Sequence, residues 1–246
     1  MTNIKDLISY IDEYLKINDY QDYGPNGLQV AGCEEINKIV TGVSICRELI
    51  TRAIDLNADA LLVHHGLLWQ ADNPCIIGPK KIRLQPLLQH DINLIAYHLP
   101  LDFHPEIGNN LQLAKIFGLK IATDSAPFFT GKFKEPILSN NFARQINEQL
   151  QRQPFYIAGK SEQISTIAWC SGGGADNLEA AARQGVDAYL TGEIAERTYH
   201  AARELGIHVF AVGHHATERY GIKALGEHLA KKFALEHQFM DIDNPL

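Results

Sequence analysis

Short runs of apolar, often β-branched residues alternate along this chain with stretches in which apolar residues recur every three or four positions. The first pattern reads as strand and the second as amphipathic helix, and their alternation is the signature of βαβ units feeding a largely parallel sheet. The opening stretch carries Ile4, Leu7, Ile8, Ile11 and Leu15 at helical spacing. A second helix is expected from about Ser44, an N-cap residue type, through Leu49, Ala53 and Ile54. Strands are expected at Ile39–Val43, Ala60–His64, Ile92–Tyr97, Ile164–Cys170, Ala188–Thr191, His208–Val212 and Phe239–Ile242. The fold class is therefore α/β.

The pattern also repeats. KIVTGVSICRELITRAIDLNADALLVHHG (38–66) and STIAWCSGGGADNLEAAARQGVDAYLTGE (165–193) share a strand, helix, strand plan in which Asp59-Ala60 matches Asp187-Ala188. Downstream, NLIAYHLPLD (93–102) pairs with VFAVGHHATE (209–218), each a strand followed by a histidine and, four residues later, an acid. Two copies suggest two repeat-related α/β lobes with mostly parallel sheets flanked by helices, since a solenoid needs three or more. Residues 1–122 are expected to form the first lobe, completed by 219–246; residues 161–218 form the second, and 123–160 connect them.

Composition narrows the function classes. A chain of 246 residues with 46% apolar content has enough material for a core. Its net charge of -7 opposes a role in gripping nucleic acid, which calls for a basic face. No apolar run approaches the roughly 20 residues of a membrane-spanning helix, so no membrane association is expected. The first 20 residues carry acids and tyrosines where a signal peptide has a basic start and an apolar middle, so the protein is expected in the cytoplasm. Cys33, Cys46, Cys75 and Cys170 form no C-x-x-C pair; they are expected to be reduced, and Cys46 and Cys170 read as small core residues.

The candidate chemistry lies at strand ends, where open α/β sheets place their ligands. His64-His65 closes one strand, and the backbone freedom of Gly66 is expected to let the two imidazoles diverge. His98-Leu-Pro-Leu-Asp102 follows another strand. Gly213-His214-His215-Ala-Thr-Glu218 follows a third, with His214 and Glu218 on one face if a helix starts there. Imidazole with carboxylate, and no thiolate, is the donor mixture of zinc, iron, manganese and similar divalent ions in open sites.

PNGLQV (25–30), LLVHHG (61–66), HLPLD (98–102) and GHHATE (213–218) together make the chain resemble the GTP cyclohydrolase type 2 homologue family, the NGG-interacting-factor-like dinuclear metal proteins. The resemblance spans essentially the whole sequence. It implies two interlinked lobes, two divalent metal ions per chain and a ring-shaped homohexamer with its metals facing an inner cavity. Carried over by position, the metal ligands fall on His64, His65, Asp102, His214 and Glu218, and this chain fills all five. Longer members carry an extra domain between the halves, which is missing here, so functions resident in it do not transfer.

A dinuclear site points to hydrolysis of a small-molecule substrate, with a nucleotide, GTP above all, as the first candidate. His98, His215 and Glu193 lie beside a ligand or at a repeat-equivalent position; they either move protons or hold ligand rings in orientation. A non-catalytic, ring-forming, metal-binding interaction protein is the competing class. The stretch 66–83 reads as a long loop in which Trp69 can stack on a base and Lys80, Lys81 and Arg83 can meet phosphate, or simply stay solvated. Ser171-Gly-Gly-Gly174 reads as an anion cradle or a tight turn, and Asp22-Tyr-Gly-Pro-Asn-Gly27 as a turn.

Overall fold

The computed structural model describes residues 1–124 and 126–246. The chain folds into two compact units, one of residues 1–107 with 221–243 and one of residues 108–220 with 244–246.

The first unit is built on a five-stranded sheet ordered Glu236–Phe239, Lys38–Ser44, Ala60–His65, Asn93–Ala96 and Gly27–Val30, parallel except for the last strand. Its central strand, Ala-Leu-Leu-Val-His-His, is apolar in succession because both sheet faces are covered. Alternation along it separates the two layers. Leu62 joins Ile39, Val43 and Ile95 under the helix Ile4–Leu15 and the C-terminal residues Ile222, Leu225 and Leu229. Leu61 and Val63 join Val40 and Leu94 under Leu49, Ile50 and Ala53 of the helix Arg47–Asp55 and Leu87 of the helix Gly78–Gln89.

The second unit carries a six-stranded mixed sheet ordered Lys120–Thr123, Phe129–Leu138, Gln163–Cys170, Ala188–Thr191, His208–Ala211 and Phe155–Ile157. Only the pairs among Gln163–Cys170, Ala188–Thr191 and His208–Ala211 are parallel. Residues 123–160, expected as a connection, contribute two of its strands and the helix Ser139–Leu150. Phe142 of that helix packs edge-on against Phe117, Phe133 and Phe210 at centroid distances of 5.4, 4.9 and 5.0 Å.

The repeat is visible in hydrogen bonds. Asp59 Oδ2 accepts from the amides of Asn37 and Lys38, and Asp187 Oδ2 accepts from those of Ser165 and Thr166, so each aspartate pins the neighbouring strand of its own sheet.

Several boundaries differ from the sequence expectation. The second helix is capped by Cys46, whose Sγ accepts from the Leu49 amide; Ser44 remains in the strand. The long loop ends early, because Pro79 starts a helix in which a missing N–H costs nothing, and Lys80, Lys81 and Arg83 ride on that helix. The final strand is Glu236–Phe239, three residues ahead of the expected Phe239–Ile242. Among the described residues no helix is long and apolar enough to cross a membrane.

Candidate metal centre

In the first unit, His64 and His65 occupy the last two positions of the strand Ala60–His65, which runs on through His65 rather than ending before it. Their rings nevertheless lie 4.6 Å apart, with the His98 ring 5.1 Å from the first and 5.5 Å from the second. Ligand-capable atoms of His64, His65 and His98 all fall within 4.8 Å of one another. Beyond His98, the Leu99–Asp102 helical turn, with Pro100 at its start, carries Asp102 back toward the strand. Its Oδ1 stands 3.6 Å from His64 Nε2, and both side chains are almost fully buried.

Each of the three rings is held through Nδ1. His64 Nδ1 meets the Tyr97 carbonyl at 2.9 Å, His65 Nδ1 meets Ser44 Oγ at 2.8 Å, and His98 Nδ1 meets Asp22 Oδ1 at 2.7 Å. With Nδ1–H donated outward, Nε2 is the coordinating atom, the arrangement that fixes the tautomer of metal-bound histidines. Burial alone would raise the Asp22 pKa, but hydrogen bonds from His98 and Asn26 outweigh it and hold the carboxyl below its ordinary value. Trp69 stands edge-on to His98 at 5.1 Å and 6.0 Å from His65. Asn26, Gln29, His64, Trp69 and His98 border a cleft of about 180 Å³. Lys80 points its ammonium at the Asn73 carbonyl, 2.7 Å away.

In the second unit, Gly213 leads into the helix His214–Phe233, which begins here and finishes in the first unit. Four-residue spacing puts Glu218 Oε2 3.1 Å from His214 Nε2. Glu193 Oε1 lies 2.8 Å from His214 Nδ1, so this carboxylate orients the ring just as Asp22 orients His98. Burial by itself would lower the His214 pKa, yet the Glu218 and Glu193 carboxylates prevail and push it up to about 9. His215 is buried, with its amide on the Leu246 oxygen.

The glycine-rich stretch is a tight turn rather than an anion cradle. The amides of Ser171, Gly172 and Gly174 are taken by Asn110 Oδ1, Thr217 Oγ1 and Thr191 Oγ1. What the turn provides is closeness: Gly172 adopts φ +63°, and a Cβ there would lie 2.1 Å from Glu218 Oε1.

The structure thus gathers His64, His65, His98 and Asp102 in one unit, and Glu193, His214 and Glu218 in the other. The donors are imidazole and carboxylate without thiolate, and the anchored rings suit a divalent ion of the zinc, iron or manganese kind. Sequence reasoning passed over Asp22, Asn26, Ser44 and Thr217, all of which hold this chemistry in place.

A family model described as Duf34/NIF3 (NGG1p interacting factor 3) matches residues 2–245. Curated relatives named GTP cyclohydrolase 1 type 2 homolog include one from Haemophilus influenzae, 49% identical and covering 100% of both chains, and one from Pseudomonas aeruginosa, 47% identical and covering 97% of each. Among solved structures, protein ybgI, described as of unknown function, is 45% identical with a TM-score of 0.97 over 100% of both chains. A Thermus thermophilus protein is 34% identical with a TM-score of 0.91 over 100% of both chains.

Proposed function

The chain belongs to the Duf34/NIF3 family, and from that premise we propose that it is a metal-dependent hydrolase of a nucleotide or related heterocycle, with GTP ring opening the first reaction to try. In this reading His64, His65, Asp102, His214 and Glu218 bind two divalent ions per chain. The observation that carries it is the outward anchoring of His64, His65 and His214 through Nδ1, to a carbonyl, a hydroxyl and a carboxylate. Buried histidines serving packing alone do not need three such anchors beside carboxylates at 3.1 and 3.6 Å. The name borne by the relatives supplies GTP as the candidate substrate.

When bound, a pair of divalent ions supplies Lewis acidity and a nucleophile at neutral pH. The protein's own part is positioning. Ser44 and the Tyr97 carbonyl fix the two strand imidazoles, Glu193 fixes His214, and the Trp69 and His98 rings offer planar surfaces beside the cleft. A volume of about 180 Å³ is below that of sites enclosing a whole small ligand, so it fits a ring rather than an entire nucleotide.

The test is formate release and nucleotide loss when the metal-loaded full chain is incubated with GTP. Turnover that disappears in Asp102→Ala supports the reading. Protein carrying two ions that turns over no nucleoside triphosphate removes it, leaving a non-catalytic metal protein. The same reading takes the assembly to be a homohexameric ring in the cytoplasm, and a solution mass by light scattering other than that of six chains removes that part.

A further inference from the structure

His98 lies outside the five-residue ligand set, yet the first unit builds it in as carefully as His64 and His65. We propose that His98 is a further ligand, sharing one cation with His64 and His65, and that Asp22 is the residue that positions it. The proposal rests on the metal reading above and adds a ligand to it.

The first argument is convergence. Nitrogens on one ion at about 2.0–2.1 Å stand about 3.4 Å apart in a tetrahedron and no more than about 4.2 Å apart across it. The three histidines already hold their ligand-capable atoms within 4.8 Å of one another, so closure onto an ion needs shifts of about 1 Å or less, within rotamer adjustment.

The second argument is the way His98 is clamped. Its main-chain N–H donates to Asn26 Oδ1 at 2.8 Å while its ring Nδ1 sits 2.7 Å from Asp22 Oδ1, so backbone and ring are fixed independently. Asp22 in turn has a side chain only 4% exposed. Its carboxylate accepts from the amides of Tyr23 and Leu99 at 2.7 and 2.9 Å and from Asn26 Nδ2 at 2.9 Å. Burying a carboxylate is costly unless it is fully hydrogen-bonded, and here every donor serves to keep it ionised and aimed at one imidazole. A carboxylate on Nδ1–H makes Nε2 a better donor to a cation, the same device that Glu193 supplies to His214. The Asp22 to Gly27 turn is therefore part of the metal site, and its Asn-Gly end leads directly into the strand Gly27–Val30, which pairs with the strand leading to His98.

The test uses the full-length chain titrated with Co²⁺ against a competing chelator, reading visible absorption and affinity. His98→Gln is expected to change the ligand-field bands and to weaken one of the bound equivalents at least tenfold. Asp22→Asn keeps the shape and an acceptor for Nδ1–H, so it is expected to preserve the bands while weakening the same equivalent by about 10- to 100-fold. His98→Ala, with folding checked by circular dichroism, serves as a second variant. Wild type that takes up two equivalents, with the His98 variants and Asp22→Asn matching it in bands and affinity, overturns this proposal and leaves the five-ligand reading standing. Wild type that takes up no Co²⁺ overturns both.

Discussion

Replacing Gly172 with alanine separates the structural from the metal-binding consequences of one methyl group. The residue adopts φ +63°, so any side chain incurs the left-handed backbone cost, about 1–2 kcal/mol. The new Cβ would also lie 2.1 Å from Glu218 Oε1 and 2.9 Å from His214 Nε2, where ordinary contact begins near 3.4 Å. The Glu218 carboxylate must then retreat by about 1.3 Å. Because it is the far end of a flexible side chain, that retreat adds little to the cost of folding. Metal–ligand distances, however, tolerate only about ±0.2 Å, so the ligand geometry does not survive it. Gly185→Ala is the control: Gly185 has φ +75° and a Cβ there would meet nothing within 4 Å. Urea unfolding in chelator is expected to give both variants a loss of about 1–2 kcal/mol. Competition titration with Zn²⁺ or Co²⁺ is expected to weaken binding more than tenfold in Gly172→Ala alone. Equal metal affinity in the two variants would refute the placement of Glu218 as a ligand beside this turn.

Three further outcomes follow from the same geometry. Glu193→Gln keeps the size of the partner on His214 Nδ1 but removes its charge, and is expected to lower metal affinity by about 10-fold or more without changing the unfolding midpoint of metal-free protein by more than a degree or two. His214, pushed up to about 9, is protonated at neutral pH in the metal-free chain, so its contribution to stability is fully present below the ordinary histidine value of 6.5 and is lost as pH rises through about 9. Metal must displace that proton, and calorimetry at pH 7.5 in buffers of different ionisation enthalpy is expected to show proton release, with uptake strengthening as pH climbs toward 9; no buffer dependence contradicts this. Leu225→Ala, at a fully buried position of the C-terminal helix packed in the first unit's core, is expected to cost about 2–5 kcal/mol in urea unfolding, and a loss below 1 kcal/mol contradicts that packing.

What could be read from the sequence follows the range of the forces involved. Ala60–His65 and Ala188–Thr191 were legible because strands covered on both faces must be apolar in succession. The last strand was misplaced because Glu-His-Gln-Phe is polar; it sits at the sheet edge with one neighbour, while Met240 and Ile242, the apolar residues that suggested a strand, pack against the core after it ends. Pro79 looked like loop and instead opens a helix, since its locked φ suits a first turn. The ligand clusters stood out because histidine and acid at several strand ends need a common explanation. Asp22 did not, because its role depends on the pairing of Gly27–Val30 with Asn93–Ala96, some 65 residues away in sequence, which no local pattern records. Glu193 was noticed only through the repeat, at the position matching His65, and the structure gives it the task of holding His214.

Metal content per chain, measured by mass spectrometry on untagged protein purified without chelators, tests the central claim most directly. The account predicts about two equivalents of transition metal in wild type, falling sharply in both His64→Ala and Glu218→Ala while the chains stay folded. Folded wild-type protein that is metal-free and cannot be reconstituted with zinc, iron or manganese would contradict it.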